Sequence, residues 1–379
     1  MSWDIVGAGV RSNIGAGLGD SFAALCAGRT ALAGLRAFDL DRFHTHHAYE
    51  VDDRKEPGVD EPLRATRWLV HAIGAALADA GLGDQPLTAP VLVGTTLREL
   101  RTAELWWYGE ADLSPDDLHF GPALRRAFGA RETYTVANAC AASLYALGMG
   151  ADLIELGLTD RVVVAGVDAI TESAFGLLDR VHAEPPAALL PFHRARRGML
   201  MGEGAVAVVL QRAGLPAAKR YGRVRSVALN CDARHPTAPD RANIAGVMRE
   251  AHTRAAVEAG DIDLVMLHGS GTPLNDEAEA GAVREVFDPP RANPAMTAIK
   301  SVTGHTAGGS GLLSMLMATE SMRRGVVPPV LGLTDPTPAA AGFRLVRDRP
   351  WHGPVRVAQV NAFGFGGVNA VSVIEAVAS

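Results

Sequence analysis

The sequence is poor in cysteine and contains no long hydrophobic run. Its 379 residues include only three cysteines, Cys26, Cys140 and Cys231, an odd number without the spacing of a metal site. A disulfide framework and a zinc site are therefore not expected. No apolar run reaches the roughly 18–20 residues that a membrane-spanning helix needs, and the N-terminus lacks the pattern of a signal peptide. We therefore expect a cytoplasmic protein without a membrane partner.

Lysine is also scarce. The formal net charge is −6 and no long basic stripe is present, which argues against a nucleic-acid partner. Among the 36 basic residues only Lys55, Lys219 and Lys300 are lysines. Because lysine and arginine act differently at a site, each of these lysines is a candidate for a specific role.

Short β-branched apolar segments alternate with Ala/Leu-rich segments along the whole chain. The strand-like segments are 3–10, 89–96, 161–169, 205–211, 223–229 and 263–269. The clearest helix-like segments are 64–82 and 311–325. This alternation predicts an α/β protein with a layered sheet. A Gly-, Pro- and charge-rich connector at 211–222 predicts two similar halves, residues 1–215 and 221–379.

Two segments that resemble binding motifs are not expected to bind a nucleotide or a metal ion. The glycines of 7–17 do not follow G-x-G-x-x-G, because Asn13 and Ile14 stand where the third glycine should fall. We therefore expect no nucleotide site there. The closely spaced histidines of FHTHH (43–47) are expected to be solvated rather than to bind a metal.

Cys140 lies between a strand-like and a helix-like segment, within ACAAS (139–143). The helix start favours a thiolate, because the positive end of the helix dipole and free amides lie there. One face of the predicted helix carries Leu144, Leu147, Ala151, Ile154 and Leu158. From this segment alone, Cys140 is either a nucleophile on a turn or a buried structural thiol.

Two distant segments each place a histidine in a glycine-rich loop. LHGSGTPLNDEAEA (267–280) puts His268 at the end of an apolar strand. AIKSVTGHTAGGSG (298–311) puts Lys300 five residues before His305. A lone histidine at a strand end is usually a core residue, but two of them together with a helix-opening cysteine favour a functional role.

Four segments resemble the signature blocks of β-ketoacyl synthases, the condensing enzymes of the thiolase fold. These are ACAAS, HGSGTPLND, KSVTGH and NAFGFGGVNA. The N-terminal VGAGVRSNIGAGLGDSFAALCAGRT and the central PFHRARRGMLMGEGAVAVVL also resemble that family, so the similarity spans nearly the whole chain. The resemblance implies a thiolase-like layered αβαβα fold built from two similar halves. The first half would carry the nucleophilic cysteine, and the second the histidines and a glycine-rich gating loop.

The resemblance also implies a Cys-His-His condensing site. Cys140 would attack an acyl thioester and hold the acyl chain. His268 and His305 would donate hydrogen bonds to the enolate oxygen that forms when a malonyl thioester loses carbon dioxide. Lys300 would tune the two histidines and hold their loops.

Further residues take implied supporting roles. The backbone amides of Cys140 and Phe365 would form an oxyanion hole, and Phe363 and Phe365 would gate the acyl pocket. Glu279 and Asp276 match acidic positions after the first histidine, and a buried pair of Glu279 with Lys300 is expected. The implied contacts with the pantetheine arm are Thr237, Ser270 and Thr272.

The implied function is decarboxylative Claisen condensation with malonyl-carrier protein, in type II fatty-acid-like or polyketide/polyene biosynthesis. No cofactor is expected, because the substrates are carried on the phosphopantetheine of an acyl carrier protein. The expected assembly is a homodimer or a heterodimer with a second ketosynthase-like subunit. One alternative is a non-elongating, chain-length-factor-like partner subunit, and the intact Cys140 and histidines argue against it. Another is an acyltransferase that uses the acyl-cysteine without decarboxylation, which makes little use of two histidines.

The chain departs from the family pattern in a few places. Arg197 and His193 stand where the family usually has aspartate, so altered electrostatics are expected in their loop. The chain is also shorter than is usual, for example within 95–130. Trp106 and Trp107 of that segment are expected either to narrow the acyl pocket or to pack at a subunit interface.

Overall fold

The computed structural model describes residues 2–83, 85–182, 184–288 and 291–377. The strands are β1 (Trp3–Ser12), β2 (Leu32–Gly34), β3 (His47–Tyr49), β4 (Val91–Thr95), β5 (Thr133–Ala137), β6 (Arg161–Asp168), β7 (Gly204–Arg212), β8 (Gly222–Cys231), β9 (Leu264–Met266), β10 (Ala295–Thr297), β11 (Val326–Val327), β12 (Arg344–Leu345), β13 (Trp351–His352), β14 (Val357–Gly364) and β15 (Val368–Glu375). The helices are α1 (Leu18–Cys26), α2 (Arg64–Asp79), α3 (Leu100–Trp107), α4 (Phe120–Phe128), α5 (Ala142–Glu155), α6 (Glu172–Val181), α7 (Arg241–Ala255), α8 (Pro273–Phe287), α9 (Lys300–Thr303) and α10 (Ser310–Arg324). None of the helices in these ranges has the length and apolar character needed to cross a membrane.

Eleven strands form one mixed sheet in the order β12-β10-β9-β14-β15-β8-β1-β7-β6-β4-β5. Parallel pairing joins β4 to β5 and β6 on one side, and β9 to β10 and β14 on the other. The strands before residue 215 and those after residue 221 occupy separate parts of the sheet. The two parts meet where β1 pairs antiparallel with β8. The assignment of these parts to two thiolase-like domains, 1–215 and 221–379, stays a prediction.

Helices α5 and α10 form the centre of the molecule. Helix α5 contacts β4 and β6 in one part of the sheet and β8 and β15 in the other, and α10 likewise contacts both parts. Most residues of α10 are buried around its whole circumference, as expected of a helix enclosed between sheets. On the outer faces, α2 covers β1, β6 and β7, while α7 covers β8 and β15. The resulting order of layers is α2, the first part of the sheet, α5 and α10, the second part of the sheet, and α7.

The strand-like segments of the sequence fall on strands of the sheet, and the predicted helices on α2, α5 and α10. One detail of the predicted α5 is wrong. Leu158 does not extend the buried face, because the helix ends at Glu155 and Gly157 adopts the left-handed conformation with φ of +73°. Leu158 lies beyond that turn and is 70% exposed.

The start of α5 lies directly against β4 at Gly94. A Cβ atom on Gly94 would lie 2.4 Å from the Ser143 backbone nitrogen and 2.5 Å from the Ala142 carbonyl carbon. Such distances are far inside van der Waals contact, so only glycine allows the two backbones to approach this closely. This contact fixes the N-terminus of α5, and with it the position of Cys140.

We predict that Gly94→Ala destabilises the fold, by about 1–3 kcal/mol for an overpacked site, because the added methyl group must push α5 away from β4. Gly246→Ala is the matched control. Gly246 lies inside α7. Apart from its chain neighbours and the nearby backbone of its own helix, no atom of the described residues lies within 4 Å of the position that its Cβ would take, so alanine should stabilise that helix by about 0.5–1 kcal/mol. Urea unfolding measures both changes, and an unchanged midpoint for Gly94→Ala would contradict the close contact.

Candidate active site

Cys140 lies on a tight turn between β5 and α5. A short 3₁₀ turn over Ala139–Ala141 connects the strand to the helix. Ala139 has φ of +46°, in the left-handed region, which costs a non-glycine residue about 1 kcal/mol or more. The turn buries Cys140, and the backbone N–H groups of Phe365 and of Cys140 itself lie close enough to its sulfur to lower the pKa of the thiol. The same two amides were predicted to form the oxyanion hole.

Burial is the dominant influence on the Cys140 thiol. It raises the pKa of Cys140 to about 11, and the Lys300 ammonium and the Phe365 amide lower this pKa only in part. The sequence predicted instead that the helix start favours a thiolate. The difference arises because desolvation of a fully enclosed anion outweighs the partial charge of a helix terminus. The Cys140 side chain is therefore a neutral thiol.

The two histidines face each other across the site. Their ring centroids are 5.3 Å apart, and both side chains are buried. The His268 Nδ1 atom accepts a hydrogen bond from the Phe363 N–H at 3.3 Å, and the His305 Nδ1 atom accepts one from the Ala307 N–H at 3.1 Å. In a neutral imidazole whose Nδ1 is an acceptor, the proton lies on Nε2. Both rings therefore present an Nε2–H donor.

The Nε2 atom of His305 is buried and has no hydrogen-bond partner among the described residues. Burial lowers the pKa of His268 and of His305 well below the usual 6.5, and the Lys300 ammonium lowers both further. At neutral pH the two rings are thus uncharged donors. An unpaired buried donor is uncommon in proteins and indicates a place for a ligand acceptor.

Lys300 is buried at the start of α9. Its ammonium donates a hydrogen bond to the His268 carbonyl at 2.6 Å. The Glu279 carboxylate accepts hydrogen bonds from the His268 and Gly269 backbone amides at 2.7 and 2.9 Å, and from the Asn361 side chain at 3.0 Å. Burial lowers the pKa of Lys300 to about 8, and Glu279 opposes this change. Lys300 and Glu279 thus interact electrostatically without direct contact. The expected ion pair between them is not formed, because the Glu279 carboxylate is hydrogen-bonded to these amides.

Asp276 holds the loop that follows His268. Its carboxylate accepts hydrogen bonds from the Phe192 N–H at 2.7 Å and the Gly271 N–H at 3.2 Å. Burial raises the pKa of Asp276 to about 7. In the fixed loop, the Ser270 and Thr272 hydroxyls lie 2.9 Å apart.

A narrow cleft leads from the surface to Cys140 and the two histidines. Phe363 is buried with its ring 5.8 Å from the His268 ring, whereas Phe365 is 40% exposed at the cleft. Gly366 and Gly367 follow with φ of +84° and +78°, conformations that glycine adopts without strain. The predicted site residues that line this cleft are Cys140, Thr237, His268, Ser270, Thr272, His305, Phe363 and Phe365. Lys300, Glu279 and Asp276 lie behind it, so the structure brings all eleven predicted residues to one region.

The residues that depart from the family pattern lie outside the lining of this cleft. The His193 ring contacts the Thr334 hydroxyl at 3.1 Å, and Arg197 forms an ion pair with Glu184. On α3, Trp106 and Trp107 are 52% and 78% exposed. Neither indole narrows the cleft within one chain.

The remaining candidates for a metal site were the histidines of 43–47. His44, His46 and His47 are exposed. Across the described ranges, no three His, Cys, Asp or Glu side chains form a group suited to hold a metal ion.

Sequence reasoning missed Asp168 and assigned no role to Asn361. Asp168 ends β6, at the close of an apolar run, and its buried carboxylate contacts the loop after His305. An acidic residue that ends a buried strand was the available signal. Asn361 lies inside the quoted segment NAFGFGGVNA, and its amide supports Glu279.

Comparison with known proteins identifies the family. The model of the β-ketoacyl synthase N-terminal domain matches residues 127–214, and that of the C-terminal domain matches residues 221–334. The tetracenomycin polyketide synthase ketoacyl synthase alpha subunit of Streptomyces glaucescens is 31% identical over 88% of each chain. The chain belongs to the β-ketoacyl synthase family.

Two further relatives cover almost the whole ketosynthase. The 3-oxoacyl-[acyl-carrier-protein] synthase 2 of Rhizobium meliloti (strain 1021) is 29% identical over 97% of this chain and 96% of its own. The solved ishigamide ketosynthase/chain length factor superposes with a TM-score of 0.88 and 30% identity, over 100% of this chain and 99% of that chain. The predicted family, the thiolase-like α/β fold and the class of condensing enzyme in fatty-acid or polyketide synthesis are confirmed.

We predict that His268 and His305 of the ketosynthase stay neutral in the Nε2–H form between pH 6 and 8. Their pKa values are lowered below 6.5, so each ring takes up a proton only at more acidic pH. Long-range ¹⁵N–¹H spectra of histidine-labelled protein measure the tautomer, and His268→Gln and His305→Gln assign the two signals. Protonation of either ring near pH 7 would contradict this electrostatic arrangement.

Proposed function

We propose that the ketosynthase joins an acyl group held on Cys140 to a malonyl unit carried by an acyl carrier protein, with loss of carbon dioxide. The observation that carries this proposal is the pair of neutral Nε2–H donors of His268 and His305 in the cleft that contains Cys140. Two convergent donors suit an oxygen that becomes negative during reaction. A simple acyl transfer through Cys140 has no need of such a pair.

The first half-reaction loads Cys140. Its sulfur attacks the carbonyl of an acyl thioester, the new C–Sγ bond forms, and the bond to the carrier sulfur breaks. The thiol proton passes to the departing pantetheine sulfur, since the raised pKa of Cys140 keeps this proton on the resting enzyme. The amides of Cys140 and Phe365 hold the negative oxygen of the tetrahedral intermediate.

The second half-reaction uses the histidines. The bond from the malonyl carbon to its carboxylate breaks, carbon dioxide leaves, and the electron pair moves onto the thioester oxygen, which accepts hydrogen bonds from His268 and His305. The enolate carbon then attacks the acyl carbonyl on Cys140. A carbon–carbon bond forms, the C–Sγ bond breaks, and the freed sulfur takes up a proton. Lys300 fixes the His268 backbone and keeps both rings uncharged.

The cleft is suited to a phosphopantetheine arm. Thr237, Ser270 and Thr272 supply hydroxyl groups along it, and the proposal assigns them to the arm. Phe363 and Phe365 act as its gate, because the adjoining glycines allow the backbone to move. The chain then needs no cofactor of its own. Its free cysteines fit a cytoplasmic location.

A dimer is part of the proposal. Strand β5 is an edge strand of the sheet, and Tyr134 on it is 44% exposed. An uncovered edge strand and exposed indoles on α3 are typical of an interface. The partner is a second copy or a ketosynthase-like subunit, as in the solved ishigamide protein, which is described as a ketosynthase/chain length factor. A non-elongating role for this chain is disfavoured, because it retains Cys140, Lys300 and both histidines.

We predict that His268→Ala and His305→Ala each slow decarboxylation of malonyl-carrier protein by about 10²–10³-fold, the usual cost of one oxyanion donor. Acylation of Cys140 should persist, because the first half-reaction uses backbone amides. Intact-mass analysis of enzyme and carrier follows both steps, and peptide mapping locates the acyl group. An adduct on Cys26 or Cys231 with Cys140 free, or parent-rate decarboxylation in either variant, would overturn the proposal.

We also predict that Trp106→Ala or Trp107→Ala weakens the dimer by about 2 kcal/mol, or about 30-fold in Kd, because buried indoles dominate many interfaces. Val59→Ala is the control, since Val59 is 54% exposed in the loop between β3 and α2. Sedimentation velocity across a concentration series measures the change. Dimers of unchanged strength in both tryptophan variants would place the interface elsewhere.

A further inference from the structure

We infer that Asp168 is a positioning residue that sets the orientation of His305. Its carboxylate is 1% exposed at the end of β6. It accepts hydrogen bonds from the Thr95 hydroxyl at 2.8 Å, the Leu97 N–H at 2.7 Å and the Gly308 N–H at 2.7 Å. The Thr96 N–H also contacts it, at 3.0 and 2.9 Å to the two oxygens. The carboxylate thus ties the end of β4 to the loop that follows His305. The inference rests on the proposed role of His305.

The contact with Gly308 is adjacent to the contact that fixes the His305 ring. The Ala307 N–H donates to the His305 Nδ1 atom at 3.1 Å, and the next amide, that of Gly308, donates to Asp168. Ala307 has φ of +44°, an unfavourable conformation that its surroundings must hold in place. Two consecutive amides are therefore held from opposite sides, one by the ring and one by Asp168.

The loop has little room to move in other directions. A Cβ on Gly308 would lie 2.6 Å from the Thr95 carbonyl carbon. A Cβ on Gly166, in β6, would lie 2.7 Å from Gly309 Cα. The loop therefore lies directly on the ends of β4 and β6, and the Asp168 carboxylate is the group that bonds it there. A substitution of Asp168 should therefore displace the His305 Nε2 atom, because only one short loop connects the two residues.

The chemistry of the contacts requires a carboxylate. All four groups that contact Asp168 are donors, and an ionised carboxylate offers acceptor sites only. In Asp168→Asn, the amide NH₂ group must face either the Gly308 N–H or the β4 side, where it meets another donor. The substitution therefore loses hydrogen bonding either to Gly308 or to the β4 side, while the size of the side chain is unchanged. Burial raises the pKa of Asp168 to about 6, so the carboxylate is ionised at pH 8, where the test is done.

The test separates positioning from a general effect on stability. Asp179→Asn is the matched control. The Asp179 carboxylate is also buried, and it accepts hydrogen bonds from the His44 and Thr45 backbone amides. None of these three residues lines the Cys140 cleft. Three experiments are done on each variant: acylation of Cys140, steady-state kinetics (kcat and KM) for decarboxylation of malonyl-carrier protein, and hydrogen exchange of a peptide spanning 304–310.

For Asp168→Asn we expect kcat for decarboxylation to fall on the order of 10²-fold, as for a catalytic group displaced by about 1 Å. KM and the rate of Cys140 acylation should remain near those of the parent, and the 304–310 peptide should exchange faster. Asp179→Asn should match the parent in all three. Equal losses in acylation and decarboxylation, parent-like decarboxylation, or unchanged exchange of 304–310 would overturn the inference.

Thr95→Val keeps the inference testable if Asp168→Asn does not fold. It removes one donor to Asp168 while preserving shape, and it should reduce decarboxylation several-fold without affecting acylation. Parent-like decarboxylation by this variant would then count against the inference. A parent protein that neither acylates Cys140 nor decarboxylates malonyl-carrier protein would refute the proposed function instead. The exchange measurement would still decide whether Asp168 holds the His305 loop.

Discussion

Removal of the reactive side chains from water is the constraint on which the site depends. Burial keeps the proton on Cys140, lowers the pKa of Lys300 to about 8, and holds both histidines neutral. A buried polar group is costly unless it is paired, so the protein supplies partners for almost every one. Backbone amides contact the histidine Nδ1 atoms, Glu279 and Asp168, and a backbone carbonyl accepts from Lys300. At the cleft, the Nε2 atom of His305 is left without a partner among the described residues.

This pairing is possible because strand ends and helix starts converge at one place. Cys140 follows β5, His268 follows β9, and Lys300 follows β10 within three residues. Helix α5 begins two residues after Cys140 at the centre of the molecule, where Gly94 lets the helix lie against β4. Small residues therefore determine the geometry of the site as much as the catalytic candidates do. They set how closely backbones approach, and the backbone in turn supplies most of the hydrogen bonds.

Sequence patterns predicted the alternation of strands and helices because hydrophobic periodicity is a local property. They also brought Cys140, His268, Lys300 and His305 into one hypothesis. The last three lie in short glycine-rich segments, and Cys140 lies among small residues at a helix start. What they did not predict depends on contacts between distant segments. The raised pKa of Cys140 follows from enclosure by the whole fold, and the engagement of Glu279 by amides rather than by Lys300 follows from loop geometry. Asp168 was missed for the same reason, because Gly308, which it holds, is 140 residues away.

The unpaired Nε2–H of His305 has a consequence for ligand selection. A molecule that fills the cleft but presents no acceptor at this point leaves a buried donor without a partner, at a cost of about 1–3 kcal/mol. That cost corresponds to a factor of about 5–150 in binding. Under the proposed function, a thioester would therefore bind more tightly than a thioether of the same length and volume, because only the thioester has an oxygen that can accept this hydrogen bond. The discrimination exists before any bond is broken, and it requires no contact with the rest of the acyl chain.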